Sequence, residues 1–348
     1  MPDINTEYRK RFLQRQLFFE QRYRDIFDRI ADQFSRLAAD PNARFTKAFR
    51  FPPVLVRKMD GIITDMHGEV LAVTEDEIAR MWDLSNQKND RLVAEYLRTI
   101  SDIKASQSAA YYMSNTPALK AFLSAKHGTD TLSEMVWKVA GQFRAEMEVH
   151  LGLGIVNGDS AQKISQRIRQ YLQNPDALFR RVRDASGKLV PSQRMRDYHP
   201  GQGVYRSAYK NAMRVARSET NMAYHSADNM RWNQIDFVKG IKISLSASHP
   251  HYNFLEICEE LAGVYPKDFQ WTNWHPNCLC HATPILTSHT NFREYLKTGQ
   301  REVNNYVTEY PESFKGYIKN NYERLNNYKS VPYWMQNNME IIGKYVNV

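Results

Sequence analysis

The 348-residue sequence predicts an α+β fold that is mainly α, with long N-terminal helices followed by a compact C-terminal domain holding a small antiparallel sheet. Three observations predict it. Apolar residues recur at helical spacing through the N-terminal third, a helix rich in small residues runs from about Tyr205 to Ile235, and beyond Phe237 the pattern changes to that of strands.

The first helix is expected from about Thr6 to Ala39. There Phe12, Phe19, Tyr23, Ile26, Ile30, Phe34 and Leu37 recur at spacings that place them on one stripe, with Arg9, Lys10, Arg11, Arg15, Arg22 and Arg24 on the other faces. Those cations read either as a solvated face or as an arm that docks on another subunit or on DNA. Prolines interrupt residues 40–53, after which helical patterning is expected from Val54 to Trp82 and in a further stretch through Tyr96.

Leu132-Ser133 has the look of a cap before a helix that reaches about Leu151, where Gly152, Gly154 and Gly158 predict a break. Ser160 is a plausible N-cap for a helix to Leu172. From Pro175 to Gly203 the composition favours an extended connection, part hairpin, turning at Ala185-Ser186-Gly187.

The 205–235 helix turns Ala208, Ala212, Val215, Ala216, Met222 and Ala223 towards a core. Val238, Ile241, Ile243 and Leu245 then predict a strand or short hairpin around Gly240, and Ala282 to Leu286 a second strand. The tail from Asn291 is expected to be helical with a turn at Pro332-Tyr333-Trp334. The expected division is 1–154 helical, 155–290 a compact domain and 291–348 a helical tail.

The net charge of +9 favours an acidic partner, either nucleic acid or an acidic protein surface. From Arg180 to Arg217 bases far outnumber acids, and Arg180, Arg181, Arg183, Arg194 and Arg196 are the candidate contacts to nucleic acid or to a protein partner. No run of about 18 apolar residues occurs and MPDINTEYRKRF lacks the apolar stretch of a signal peptide, so the expectation is a soluble protein made in the cytoplasm with no membrane partner.

The three cysteines, Cys258, Cys278 and Cys280, are odd in number and lie in one window with His249, His251, His275 and His281. An odd count and a Cys-x-Cys pair argue against a disulfide framework. Thiolates and imidazoles are the ligands that zinc takes, and a short H-P-x-C-x-C turn presents several together. The candidate ligands are His249 or His251 with Cys258, His275, Cys278 and Cys280; the competing reading is a buried Cys/His cluster without metal. Arg217 and Glu219, in the string ARSETN, are candidates for ion pairs with the β region. No Walker loop, G-x-S-x-G elbow, H-E-x-x-H or dinucleotide fingerprint occurs, and the expectation is a protein that is not an enzyme.

The ordered strings ARSETNMAYHSADNMRW, KGIKISLSASHP, ICEELAGVYP and WHPNCLCHATPIL resemble the phage Mu F-like family of head-morphogenesis proteins, in the form seen in Bacteroidales prophages. More loosely, WDLSNQKND, FRRVRD and HPGQGVYRSAYKNAMRVAR also look like that group. The match is firm from about Ile155 to Leu286 and covers about three-quarters of the chain. Departures from the pattern are Ser218 where the family usually has Thr, Leu279 where its turn usually has Arg, and a longer stretch from His251 to Cys258.

The resemblance implies a Mu F-like domain at 155–290 in a minor head protein of the virion. It implies portal and capsid subunits as partners in head assembly, with a role alongside phage DNA in packaging or ejection. The alternatives are a metal-dependent enzyme or effector, with Glu256 or Glu259 beside a metal, and a basic nucleic-acid-binding protein.

Overall fold

The structure is a computed structural model that describes residues 3–41, 51–101, 103–174, 181–191, 207–247, 249, 255–328 and 330–346. It is mainly helical, with long N-terminal helices and small antiparallel sheets in the C-terminal part. In chain order the elements are α1 (Ile4–Arg36), α2 (Pro53–Leu97), α3 (Ala105–Ala110), α4 (Thr116–Ser124), β1 (Lys126–His127), β2 (Asp130–Thr131), α5 (Leu132–Val156) and α6 (Ala161–Gln173). There follow β3 (Arg181–Arg183), β4 (Leu189–Pro191), α7 (Ala208–Gln234), β5 (Val238–Ser244), α8 (Ile257–Glu260), β6 (Gly263–Tyr265) and β7 (His281–Leu286). The tail forms α9 (His289–Thr298), α10 (Glu312–Asn326), α11 (Tyr333–Gln336) and α12 (Met339–Val346).

Two compact units are built from interleaved segments. One comprises residues 1–15, 75–131 and 217–348, the other residues 16–74 and 132–216. Residues of α1, α2 and α7 therefore belong to both.

In the second unit the apolar stripe of α1 is buried as its spacing predicts, with Phe19, Tyr23, Phe27, Ile30 and Phe34 at 1% exposure or less. Phe143 of α5 meets both Phe27 and Phe34 edge-on, with ring centroids 5.3 and 5.9 Å apart. Ser160 caps α6 by accepting a bond from the Lys163 amide, as expected. The expected hairpin is present as β3 and β4, paired from Arg181↔Pro191 to Arg183↔Leu189. Asp184 shapes its turn by accepting bonds from the Ser186 and Lys188 amides.

In the first unit the sheet has the order β6-β5-β7, antiparallel throughout. Its β5 strand is central, so Val238, Ile241 and Ile243 are buried. Around it lies an aromatic core that includes Phe237, Tyr265, Phe269, Trp271, Trp274, Phe292, Phe314 and Trp334. The tail helices help complete this core, Phe292 of α9 meeting Phe237 and Trp334 of α11 meeting Trp274 edge-on, both at 5.4 Å, while Tyr96 of α2 stacks on Phe237 at 3.8 Å.

Several local expectations are corrected. The helical patterning from Val54 to Trp82 and the further stretch through Tyr96 are one continuous helix, α2, of 45 residues. Its polar residues do not break it because Asn86 and Asn89 donate back to the carbonyls of Trp82 and Ser85, four residues earlier. Gly152 and Gly154 lie inside α5, and the chain leaves helical geometry only at Gly158, whose φ is +67°.

Gly240 does not turn a hairpin either. It sits in a single strand at a register irregularity between Val238 and Gly240. A Cβ there would lie 2.6 Å from Val307 Cγ2 and 3.0 Å from the Tyr265 carbonyl oxygen, so close backbone approach is what the glycine permits. Pro332-Tyr333-Trp334 opens α11 rather than making a turn. The short elements α3, α4, β1 and β2, and strand β6, had no counterpart in the sequence reading.

Gly154 has an equally local reason to be glycine, since a Cβ there would fall 2.3 Å from Ile164 Cδ1 on α6. Helix propensity alone would make Gly154→Ala stabilising by about 1 kcal/mol. The clash is expected to reverse the sign, giving a net loss of about 1–3 kcal/mol that Ile164→Val partly restores. Thermal melts of the single and double variants check this, and a melting temperature raised by Gly154→Ala would refute it.

Candidate metal centre

The turn that carries two of the cysteines is built by its own sequence. In His275-Pro276-Asn277-Cys278 the Cys278 amide donates to the His275 carbonyl at 3.1 Å, and Asn277 takes a φ of +62°. Proline at the second position and asparagine at a third position with positive φ are what a type II turn requires. Asn277 is anchored to α7, because its amide donates to Ser218 Oγ at 3.2 Å. Cys280 then leads directly into β7, which begins at His281.

The third cysteine arrives from α8. Glu256 and Glu259 form a capping box, with the Glu256 amide donating to Glu259 Oε2 at 3.2 Å, and this sets Cys258 in the first turn of the short helix.

The elements bring all three thiols together. The Sγ atoms of Cys258, Cys278 and Cys280 lie within 4.8 Å of one another, and all three residues are buried. The Cys258 to Cys278 separation is 3.7 Å. Two thiolates bound tetrahedrally at the usual zinc–sulfur distance of about 2.3 Å would stand roughly 3.8 Å apart. The observed separation therefore fits a shared ion and is far too long for a disulfide.

His275 stands against one thiol of this group. Its Nε2 lies 3.0 Å from Cys258 Sγ, while its Nδ1 lies 2.8 Å from the Pro276 carbonyl oxygen. A carbonyl can only accept, so Nδ1 carries the proton and the Nε2 lone pair points at the thiols. This is the outer-shell arrangement that orients histidine ligands of metals.

His249 is the nearby alternative. Its Nε2 stands 3.3 Å from Glu256 Oε2 and 3.7 Å from Glu259 Oε1, and with Glu256 and Cys258 it forms a second, less buried group. Of the expected ligands, Cys258, Cys278 and Cys280 make the compact set, His275 lies against Cys258, and His249 flanks it. His251 lies outside the described residues. His281 stands outside the set, and burial lowers its imidazole to about 4.

The electrostatics point the same way. The neighbouring thiols of Cys278 and Cys280, and then burial, push the Cys258 thiol far above its ordinary value. Hydrogen bonds from Cys258 and Cys280 hold Cys278 well below its own. Cys280 is eased downwards by Cys258 but raised more by Cys278 and by burial, to about 12. Three buried thiols this close cannot all ionise without accumulating negative charge. A divalent cation relieves that repulsion, because the thiolate is the ligand form. Three buried cysteines with a histidine against one of them are a donor set that suits a structural rather than a catalytic zinc.

Beside this centre, the string WDLSNQKND on α2 and the α7 string ARSETNMAYHSADNMRW interlock. The fully buried Asp228 carboxylate receives Lys88 Nζ at 2.5 Å, Ser85 Oγ at 2.6 Å and Asn89 Nδ2 at 2.8 Å. Trp232 Nε1 donates to Asn89 Oδ1 at 2.8 Å, and Arg231 reaches Asn86 and Asp90. Asn221 and Asn229 donate to the backbone carbonyls of Thr272 and Trp271, which ties α7 to the segment ahead of the turn.

Glu219 is buried and pairs with His127 of β1 rather than with the 238–286 strands where a partner was expected. Burial would raise Asp228, but Lys88 and His225 outweigh it and hold the carboxyl below its usual range. Lys88 is itself lowered by burial against the pull of Asp228.

The candidate basic contacts are largely beyond view, since Arg180, Arg194 and Arg196 lie outside the described residues. Arg181 lies in β3, and Arg183 is exposed, its guanidinium donating to the Gly187 carbonyl. Lys88, Asp228 and Arg9 were not singled out as site residues. Their partners lie 140 or more residues away, and no local spacing announces such a pair.

Comparison with known proteins finds no matching family model, no matching curated sequence and no matching solved structure.

Two expectations follow. Removing Lys88 as Lys88→Met would strand a buried carboxylate, and chemical denaturation is expected to register a loss of about 3–5 kcal/mol; a loss below about 1 kcal/mol would refute the pairing.

His225, buried against Trp271 and near Asp228, is lowered chiefly by burial, which Asp228 only partly offsets. Its neutral form is favoured when folded, so the stability it contributes is complete above its unfolded value of about 6.5 and is lost as the pH falls from there. His225→Gln is expected to flatten the decline of the unfolding midpoint between pH 7 and 5. Parallel profiles for the two proteins would contradict this.

Proposed function

We propose that this chain is a head-assembly protein of a tailed phage, of the Mu F-like kind, whose C-terminal part is held closed by a structural zinc ion. The observation that supports this reading is convergence. The strings that carry the resemblance, on α2, α7, β5, α8 and the His275 turn, close around one polar and thiol centre instead of lying as separate surface motifs.

The chemistry of that centre suits holding rather than turnover. Bound zinc would supply a crosslink between α8 and the turn before β7, joining parts of the chain that are short in regular structure. Cys258, Cys278, Cys280 and His275 would bind it, and Pro276 and Ser218 would orient the turn. The partners on this reading are portal and capsid subunits, and the site of action is the virion. Among the described residues no helix is long and apolar enough to cross a membrane.

Purified protein is expected to contain zinc in proportion to the chain, and a strong chelator to lower its melting temperature, because a metal that binds only the folded state stabilises it. Association with portal or procapsid is expected in pull-down and in virion proteomics. A protein that binds neither and is missing from virions would refute the assembly role, whatever its metal content.

Arg183, exposed on the β3–β4 hairpin, is a described part of the basic stretch that would meet DNA. If it does, affinity should fall steeply from 50 to 200 mM salt. A flat binding curve would remove DNA from the list of partners.

A further inference from the structure

Arg9, in the first turns of α1, projects into the same unit as the cysteines. Its Nη2 donates to the backbone carbonyl of Leu279, the residue between Cys278 and Cys280, across 270 positions of sequence. Its guanidinium also lies over the Phe12 ring at 5.1 Å and within electrostatic range of Cys278 and Cys280.

Among the described residues no carboxylate pairs with Arg9. Asp228, a buried acid of the same unit, is already matched by Lys88 at 2.5 Å. A partly buried guanidinium without a counter-ion loses hydration that no opposite charge repays.

A zinc ion with three thiolates and a neutral imidazole carries a net charge of about −1. That is also a buried charge in need of an opposite one. We infer that Arg9 is the counter-ion of the loaded metal centre, and that the N-terminal end of α1 docks on the Cys278-Leu279-Cys280 turn more tightly when metal is bound.

The inference rests on the metal reading above and adds to it a positioning residue outside the ligand set. By reciprocity, what Arg9 adds to metal affinity the metal adds to the docking of α1.

The test uses the full chain as wild type, Arg9→Met and Arg9→Lys. Zinc affinity is read by competition with a chromophoric chelator, and the ligand geometry by the visible absorption of the cobalt-substituted protein. Arg9→Met is expected to weaken zinc binding by about 10–100-fold, the usual effect of losing an outer-shell partner, while the tetrahedral cobalt spectrum persists. Arg9→Lys, which keeps the charge, is expected to recover part of the affinity.

Melting of the metal-free proteins separates this from simple packing. A counter-ion role predicts that metal-free Arg9→Met melts no lower than metal-free wild type, whereas a packing role lowers both forms equally. Zinc affinity of Arg9→Met within twofold of wild type, or an equal drop in both forms, would overturn the inference while leaving the metal centre standing. Wild-type protein that takes up no zinc overturns both.

Discussion

The carboxylate of Asp228 has no access to water, and much of its unit is arranged around that fact. An isolated buried carboxylate costs several kcal/mol, so it persists only where the surroundings satisfy it completely. Here Lys88, Ser85 and Asn89 do so from a single face of α2, at i, i+3 and i+4 spacing. Such a match is available in one register of the two helices, because a shift by one residue would turn these side chains away. The ion pair acts less as a source of net stability than as a device that selects how α2 and α7 meet. Trp232 and Arg231 extend the same selection along α7 through Asn89, Asn86 and Asp90.

Once α7 is set, it positions the thiol centre. Ser218 holds the Asn277 amide, and Asn221 and Asn229 hold the carbonyls of Thr272 and Trp271, so the segment leading to the His275 turn is tied to the helix by side chains at three points. This segment has little regular structure of its own between β6 and β7. Its backbone groups are satisfied by the helix, and its thiols are gathered where a cation would join them to α8. The polar helix pair orients the loop, and a metal bound by the thiols would close it.

Much of the local structure was legible in the sequence because it depends on neighbours in the chain. The apolar stripe of α1, the Ser160 cap, the turn at residues 185–187 and the strand pattern around Ile241 and Ala282 are short-range consequences of side-chain periodicity and turn chemistry. The reading failed where a local cue was overridden by a distant contact. Asparagines and serine in the middle of α2 are poor helix formers, yet they are helical where they bond to their own preceding turn and to Asp228. Gly154 looks like a helix end, yet it is the place where Ile164 comes close.

The candidate ligands Cys258, His275, Cys278 and Cys280 could be named from composition alone, since thiols and imidazoles concentrated in one window are themselves a chemical signal. Tertiary structure decided where the two histidines stand, with His275 Nε2 3.0 Å from Cys258 Sγ and His249 grouped with Glu256 and Cys258. It also decided that Lys88 belongs to Asp228 and that Arg9 reaches Leu279. Charges placed so far apart in the chain acquire partners only after the helices have packed, since hydrogen bonds and ion pairs act over a few ångströms and sequence distance carries no information at that range.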